Sequence, residues 1–172
     1  GRKKIFSNIF SFSAGEYEGR QSAFTEKTIN EVVRASYEMG EVKTGALIVI
    51  EQNVALGEYV RTGISIDGLV TSQLLINIFE HNTPLHDGAV IIRGDRITSA
   101  TCYLPLSDNM TISKDLGTRH RAALGMSEVC DALVIVVSEE TGLVSVASGG
   151  RLLRAINAEE LRSQLSQIQY RK

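Results

Sequence analysis

The stretch 83–93 constrains the fold most strongly, because a rigid turn leads directly into a wholly apolar run. Pro84 fixes its own φ and favours an extended backbone before it, and Gly88 is the least bulky residue available beside a carboxylate. The run Val90-Ile91-Ile92 is typical of a strand that is buried on both faces. The sequence therefore predicts a tight turn that holds His86-Asp87 at the end of a buried strand.

A carboxylate beside an imidazole at the end of a strand can bind a divalent cation or accept a proton. His86, Asp87 and Gly88 are also an ordinary turn composition, and these three residues alone favour a turn over a site. A second stretch of the sequence changes that balance.

Gly117-Thr118-Arg119-His120-Arg121 is this second stretch, and helix-favouring residues follow it. We predict that Thr118 is the N-cap, which puts two arginines and a histidine in the first turn. Cations there oppose the helix dipole at a cost of about 0.3–1 kcal/mol each, and a bound anion would relieve this conflict. Free N–H groups, a hydroxyl and two guanidiniums favour a phosphate site. The alternative is a solvated basic turn whose arginines pair with nearby carboxylates.

Composition narrows the class of protein. A chain of 172 residues without an evident linker fits one domain, and a net charge of −2 argues against a nucleic-acid binder that relies on bulk electrostatics. Cys102 and Cys130 form no C-x-x-C pair, and only three histidines are present, so zinc and disulfide frameworks are not supported and a reducing cytosol fits. Neither a P-loop motif nor a G-x-G-x-x-G motif occurs.

Hydrophobic periodicity predicts an α/β domain with a mixed sheet flanked by helices. The predicted helices cover about residues 29–40, 74–79, 118–125 and 158–168. Besides the strand at 90–92, predicted strands cover residues 45–50, a short segment near Tyr59 and Val60, and residues 97–103, 132–137 and 143–147.

Two further segments offer candidate ligands for a nucleotide. Tyr103, at the end of a predicted strand, can stack on a purine, although a tyrosine that caps the core is the favoured interpretation from the sequence alone. Glu139 and Glu140 lie at a predicted hairpin end, where one carboxylate can bind a metal, and solvated turn charges are the default interpretation.

The paired motifs resemble a known family. Leu85-His86-Asp87-Gly88-Ala89 and 117–121 are similar to the DGA and RHR motifs of the diadenylate cyclase (DAC) domain. Segments 45–48, 103–106 and 138–142 are similar to its membrane-anchored CdaA subtype. The resemblance covers about residues 25–155, and two ordered motifs are far more specific together than either is alone.

The resemblance implies a DAC fold in residues 21–172 and a metal-dependent nucleotidyltransferase. This enzyme would condense two ATP molecules into cyclic di-AMP, with Mg²⁺, Mn²⁺ or Co²⁺, at a homodimer of two face-to-face domains. The subtype carries N-terminal transmembrane helices, so residues 1–20 are expected to be a juxtamembrane or linker remnant, although a helix packed on the domain is an open alternative. A catalytic domain facing the cytoplasm at the bacterial membrane and a membrane-associated regulatory protein are also expected.

The resemblance also assigns roles to residues. Asp87, Arg119 and His120 would be catalytic, and Asp87, His86 and Glu140 would bind the metal. The ATP-binding residues would be Gly88, Ala89, Tyr103, Leu104, Gly117, Thr118, Arg119, Arg121 and Ser138. The role of Glu139 stays open. The alternatives are a metal-dependent phosphohydrolase that uses His86 and Asp87, and a non-catalytic sensor of ATP or a dinucleotide.

Overall fold

A seven-stranded mixed sheet forms the centre of the protein in the computed structural model, which describes residues 24–170. Its strands are β1 Ala46–Ile50, β2 Ile64–Leu69, β3 Ala89–Arg93, β4 Arg96–Cys102, β5 Leu133–Val137, β6 Val144–Ser148 and β7 Arg151–Leu153. The helices of the described residues are α1 Glu26–Glu41, α2 Gly57–Val60, α3 Ser72–Phe79, α4 Thr118–Val129 and α5 Ala158–Ile168. The predicted α/β class, with a mixed sheet flanked by helices, is confirmed.

The strand order is β2-β4-β3-β1-β5-β6-β7, with β1 at the centre. β1 is parallel to β3, with Ile48 opposite Val90, and antiparallel to β5, with Ile48 opposite Ile135. The other neighbouring strands are antiparallel. As a result, β1 and β3 begin at the same edge of the sheet at which β4 and β5 end.

Side chains of β1 alternate between two hydrophobic cores, because successive residues of a strand point to opposite faces. Ile48 and Ile50 pack with α1, α3 and α5 on one face, while Leu47 and Val49 pack with α4 on the other. All five residues of β1 are buried, and full burial of each large apolar side chain contributes about 1.5–3 kcal/mol. Coverage of both faces explains why the central strands are continuous apolar runs.

The segment with Tyr59 and Val60 forms the short helix α2, so the strand predicted there was wrong. The backbone N–H groups of both residues donate to the Leu56 carbonyl, and the Leu56 side chain is fully buried beneath the turn. The strand of this region comes later, at β2, where Ile64 is half-exposed at the edge of the sheet. An edge strand with exposed side chains lacks the apolar run that marks β1 and β3.

The helix α1 is fixed at both ends. At its start, the Thr25 N–H and the Thr28 hydroxyl donate to Asp95 Oδ1 over 2.7 and 2.6 Å, which ties the helix to the β3–β4 turn. At its end, Gly40 contacts the β5–β6 loop so closely that a Cβ on Gly142 would lie 2.1 Å from the Gly40 carbonyl oxygen. The helix therefore supports the loop that follows β5.

The interpretation of residues 1–20 as a juxtamembrane or linker remnant falls outside the described residues. Within residues 24–170, no helix is both long and apolar enough to cross a membrane.

Candidate functional site

A cleft of about 870 Å³ opens at the sheet edge where β1 and β3 begin. Its walls come from the loop before β3, the segment after β4, the first turn of α4, the β5–β6 loop and the residues that follow β7. Segments far apart in the sequence meet here because the strands that carry them are neighbours in the sheet.

The loop before β3 places His86 and Asp87 on the cleft wall. His86 Nδ1 lies 2.6 Å from the Thr83 carbonyl oxygen, which can only accept a hydrogen bond, so Nδ1 carries a proton. The other ring nitrogen, His86 Nε2, lies 3.3 Å from Asp87 Oδ1. The Asp87 side chain is 86% exposed. The carboxylate is open to a ligand or to a second protein molecule.

Gly88 makes this loop possible. Its φ is +78°, and a Cβ there would lie 2.8 Å from the Cys102 carbonyl oxygen. The neighbouring Ala89 was expected to bind ATP, but its side chain does not reach the cleft. It is fully buried as the first residue of β3 and packs in the core under α4, outside the described cleft lining, so the structure does not support direct contact of its side chain with ATP.

The N-cap of α4 lies one residue earlier than predicted. Gly117 is the N-cap, with an extended backbone, and within the described residues no side chain bonds to this helix end, so the prediction of Thr118 as N-cap was wrong. Gly117 can adopt the extended conformation easily, which makes Thr118 the first helical residue. Thr118 lines the cleft together with helix N–H groups that lack intrahelical partners.

Arg119 also lines the cleft, and its guanidinium lies on Gly45, where a Cβ would be 2.5 Å from Nη1. Its Nη1 lies 3.3 Å from Glu139 Oε2. Arg121 lies outside the described cleft lining, so the prediction that both guanidiniums converge was wrong. Residues two apart on a helix point about 200° apart, and this separation sends the two side chains in nearly opposite directions.

His120, between these arginines, is buried at the back of the cleft. Burial, followed by the positive charge of Arg154, lowers the pKa of His120 below its ordinary value of 6.5. The imidazole is therefore neutral at pH 7 and adds no positive charge to the cleft wall.

Tyr103 follows β4 and is 76% exposed, so the interpretation as a core cap was wrong. Its backbone N–H donates to Thr62 Oγ1 over 2.9 Å, and its ring lines the cleft beside Leu104. A tyrosine held by its backbone with an exposed ring offers a face on which a planar base can stack.

The β5–β6 loop contributes Ser138, Glu139 and Glu140 to the cleft. Ser138 Oγ accepts from the N–H groups of Glu140 and Thr141, each over 3.2 Å, so the hydroxyl shapes the loop. Because that oxygen accepts two bonds, its own proton remains available for donation to an anion.

The predicted metal ligands do not form a closed cage. No three His, Cys, Asp or Glu side chains within residues 24–170 lie close enough together to hold a metal ion. Asp87, His86 and Glu140 nevertheless all line the one cleft. Mg²⁺ in phosphoryl-transfer sites is bound by one or two carboxylates together with substrate phosphates, and this donor set fits that mode of binding.

Two charged residues of the cleft were missed from the sequence. Asp115 and Arg154 both line the cleft, and Arg154 Nη2 lies 3.4 Å from Asp115 Oδ2. Arg154 follows the three-residue strand β7, which the sequence did not predict because it is short and its residues are largely exposed.

A mixed sheet between two helical layers, with acidic and cationic groups converging at one edge, defines an α/β domain of the nucleotide-binding class. Comparison with known families agrees with that class. Residues 33–152 match the DAC model, described as "DisA bacterial checkpoint controller nucleotide-binding". The chain belongs to the DAC family.

Curated relatives are similar over most of this chain. The cyclic di-AMP synthase CdaA of Bacillus subtilis is 54% identical over 81% of this chain and 51% of its own length. A diadenylate cyclase of Listeria monocytogenes is 49% identical over 90% of this chain and 55% of its own length. The chain thus spans about half the length of these relatives.

Solved structures share the fold. The crystal structure of a double cysteine mutant of DacA from Staphylococcus aureus has a TM-score of 0.83 and 49% identity, covering 85% of this chain and 97% of that one. A protein described as a hypothetical membrane spanning protein from Bacillus cereus has a TM-score of 0.74 and 39% identity, covering 90% of this chain and 76% of that one.

Proposed function

We propose that this chain is the catalytic domain of a diadenylate cyclase, which condenses two ATP molecules into cyclic di-AMP and releases two pyrophosphates. The observation that carries the proposal is the convergence of Asp87, Arg119 and Tyr103 on one cleft. These residues supply a carboxylate, a phosphate-binding cation and a base-stacking ring from three separate elements. Relatives named cyclic di-AMP synthase and diadenylate cyclase support the same reaction.

Different walls of the cleft bind the base and the phosphates of the nucleotide. Tyr103 stacks on the adenine, and backbone groups of Leu104 read its edge. The N–H groups at the start of α4, the Thr118 hydroxyl and the Arg119 guanidinium hold the phosphates, together with the Ser138 hydroxyl from the β5–β6 loop. Gly88 and Gly117 keep side-chain bulk away from the phosphate chain.

Catalysis requires two domains, because each holds one ATP. The 3′-oxygen of one nucleotide attacks the α-phosphorus of the other, the bond from Pα to the bridging oxygen breaks, and pyrophosphate leaves. Asp87 takes the hydroxyl proton, and its 86% exposed carboxylate can be reached by a nucleotide that a second domain presents. The same step repeated in the opposite sense closes the ring, so a face-to-face homodimer is the catalytic unit.

Asp87, His86 and Glu140 would hold Mg²⁺, Mn²⁺ or Co²⁺ together with phosphate oxygens, and the ion would supply neutralisation of the phosphate charge. The protein's own contribution is a set of fixed donors. His120, buried and neutral next to Arg119 in the first turn of α4, adds no charge of its own to this site.

The setting we propose is the cytoplasmic face of a bacterial membrane, with the domain anchored through a segment of a longer protein. The matched region covers only about half the length of the relatives, and a structural neighbour is described as membrane spanning. A membrane-associated regulatory protein is the partner expected for such a domain.

The test is product identification. The purified domain is incubated with ATP and Mn²⁺ or Mg²⁺, and products are resolved by ion-exchange chromatography and mass spectrometry. We expect cyclic di-AMP and pyrophosphate in a ratio of about one to two, as the balanced reaction requires. ADP, AMP or inorganic phosphate as the main product would favour a phosphohydrolase, and nucleotide binding without turnover would favour a sensor.

A further inference from the structure

Arg154 is a second arginine that lines the cleft, whereas Arg121, which the sequence had suggested for that role, lies outside the described lining. It follows β7 at the edge of the sheet, and its side chain lines the cleft with a 49% exposed surface. The DAC match ends at residue 152, two residues before Arg154.

The surroundings of Arg154 place it beside the start of α4. Its ion-pair partner, Asp115, lies two residues before Gly117, the N-cap of that helix. Arg154 and Arg119 both act on the buried His120, whose pKa is lowered chiefly by burial and then by Arg154. Arg154 and Arg119 therefore line the same cleft as the start of α4, with its free N–H groups.

Both guanidiniums are balanced by carboxylates at rather long distances. Arg154 Nη2 lies 3.4 Å from Asp115 Oδ2, and Arg119 Nη1 lies 3.3 Å from Glu139 Oε2. The members of the Arg154–Asp115 pair are 49% and 66% exposed, and such pairs are held weakly in water. A polyphosphate, with several negative charges and strong acceptor oxygens, can displace the carboxylate from a guanidinium.

We propose that Arg154 is a second phosphate-binding residue, which exchanges Asp115 for the phosphates beyond the α-phosphate of a nucleoside triphosphate. This inference rests on the proposed function, because it assumes that the triphosphate occupies this cleft. Arg119 then holds one part of the phosphate chain and Arg154 another, on either side of the α4 N-terminus.

The experiment measures affinity by calorimetry with 3′-deoxy-ATP, which lacks the attacking hydroxyl and cannot condense, and with AMP. Arg154→Gln is expected to weaken 3′-deoxy-ATP binding about tenfold, as loss of a charge-assisted hydrogen bond implies, and to leave AMP binding within about twofold. Arg151→Gln makes the same charge change three residues earlier, at an exposed position outside the described cleft lining, and should bind both ligands like the unmodified protein.

A gain of affinity gives a second readout that damage to the fold cannot imitate. Asp115→Asn should tighten 3′-deoxy-ATP binding about two- to fivefold, because Arg154 no longer has a competing carboxylate. The gain should vanish in the Asp115→Asn, Arg154→Gln double variant. Persistence of the full gain in the double variant would overturn the assignment.

Failure of this inference is distinguishable from failure of the proposed function. If the unmodified protein makes cyclic di-AMP but Arg154→Gln binds 3′-deoxy-ATP normally, or loses AMP equally, the Arg154 assignment alone is overturned. If the unmodified protein does not bind 3′-deoxy-ATP and makes no cyclic di-AMP, both are overturned.

Discussion

Arg119 Nη1 lies 3.3 Å from Glu139 Oε2, so the first turn of α4 is joined by an ion pair to the β5–β6 loop. The arginine is 24% exposed and lies on Gly45, while the glutamate is 63% exposed. The backbone at Gly45 therefore supports Arg119 independently of its carboxylate partner. We expect Glu139 to act as a counter-ion that an incoming phosphate replaces.

We expect Glu139→Gln to raise the affinity for 3′-deoxy-ATP about two- to fivefold, because the phosphate no longer displaces a carboxylate. Binding is measured by calorimetry at constant ionic strength. Glu159→Gln removes an equal charge from an exposed position on α5 and should bind like the unmodified protein. A loss of affinity in Glu139→Gln would mean that Glu139 orients Arg119 for binding.

The contributions of the two arginines in the first turn of α4 to nucleotide binding can be measured separately with Arg119→Ala and Arg121→Ala. Arg119 lines the cleft, so its removal is expected to weaken 3′-deoxy-ATP binding at least about tenfold. The loss in Arg121→Ala should be smaller, because that side chain leaves the helix on a different side. The same calorimetric titration measures both variants. Equal losses would contradict the assignment of the phosphate site to Arg119.

Gly142→Ala tests the support that α1 gives to the β5–β6 loop. Gly142 has φ +75°, and its Cβ would lie 2.1 Å from the Gly40 carbonyl oxygen, so both strain and a backbone clash oppose the change. We expect the free energy of unfolding to fall by at least about 2 kcal/mol in urea titrations.

Gly149→Ala is the matched control for this experiment. Gly149 also has a positive φ, +57°, but no described atom lies within 4 Å of its added Cβ. A loss of about 1 kcal/mol is therefore expected from strain alone. Similar losses at residues 142 and 149 would show that the contact with Gly40 contributes little.

The stability of the fold should depend on pH through His120. Its pKa is lowered by burial and then by Arg154, with a smaller lowering by Arg119 opposed by Asp115 and Glu140. The unfolded chain binds the proton more readily than the folded state. The contribution of His120 to the free energy of unfolding is therefore fully present above about pH 6.5 and is lost as the pH falls below that value.

We expect the urea midpoint to fall between pH 7 and pH 5, and to fall less in His120→Gln. His81→Gln, which removes an imidazole from an exposed position, is the control and should keep the slope of the unmodified protein. Equal slopes in all three proteins would contradict the account of His120 burial.

The central strands were predictable because burial on both faces leaves a clear record in the sequence. β1, β3 and β5 are wholly or almost wholly buried, and continuous apolar runs of this length are typical of such strands. β2 and β7 lie at the two edges of the sheet and carry exposed side chains, so their sequences resemble loops. Tyr59 and Val60 favour strand locally, but their carbonyl and N–H groups close a helical turn instead.

The cleft was only partly predictable for a related reason. Neighbouring residues such as His86 and Asp87 can be recognised together, whereas Arg154 reaches the site only through the order of strands in the sheet. Proximity in the sequence also misled the interpretation of Arg121, since a helix directs residues two apart to different sides. Side-chain direction at the start of α4 depends on the choice of Gly117 as N-cap, which the propensity of Thr118 obscured.

The most direct test of the account is product formation by Asp87→Asn, measured beside its affinity for 3′-deoxy-ATP and its unfolding midpoint. Asparagine keeps the size of the side chain but cannot accept the hydroxyl proton. We predict that cyclic di-AMP formation falls at least about a hundredfold, while the affinity stays within about threefold and the midpoint is unchanged. Cyclic di-AMP formation at the unmodified rate would contradict the central role of Asp87 in this cleft.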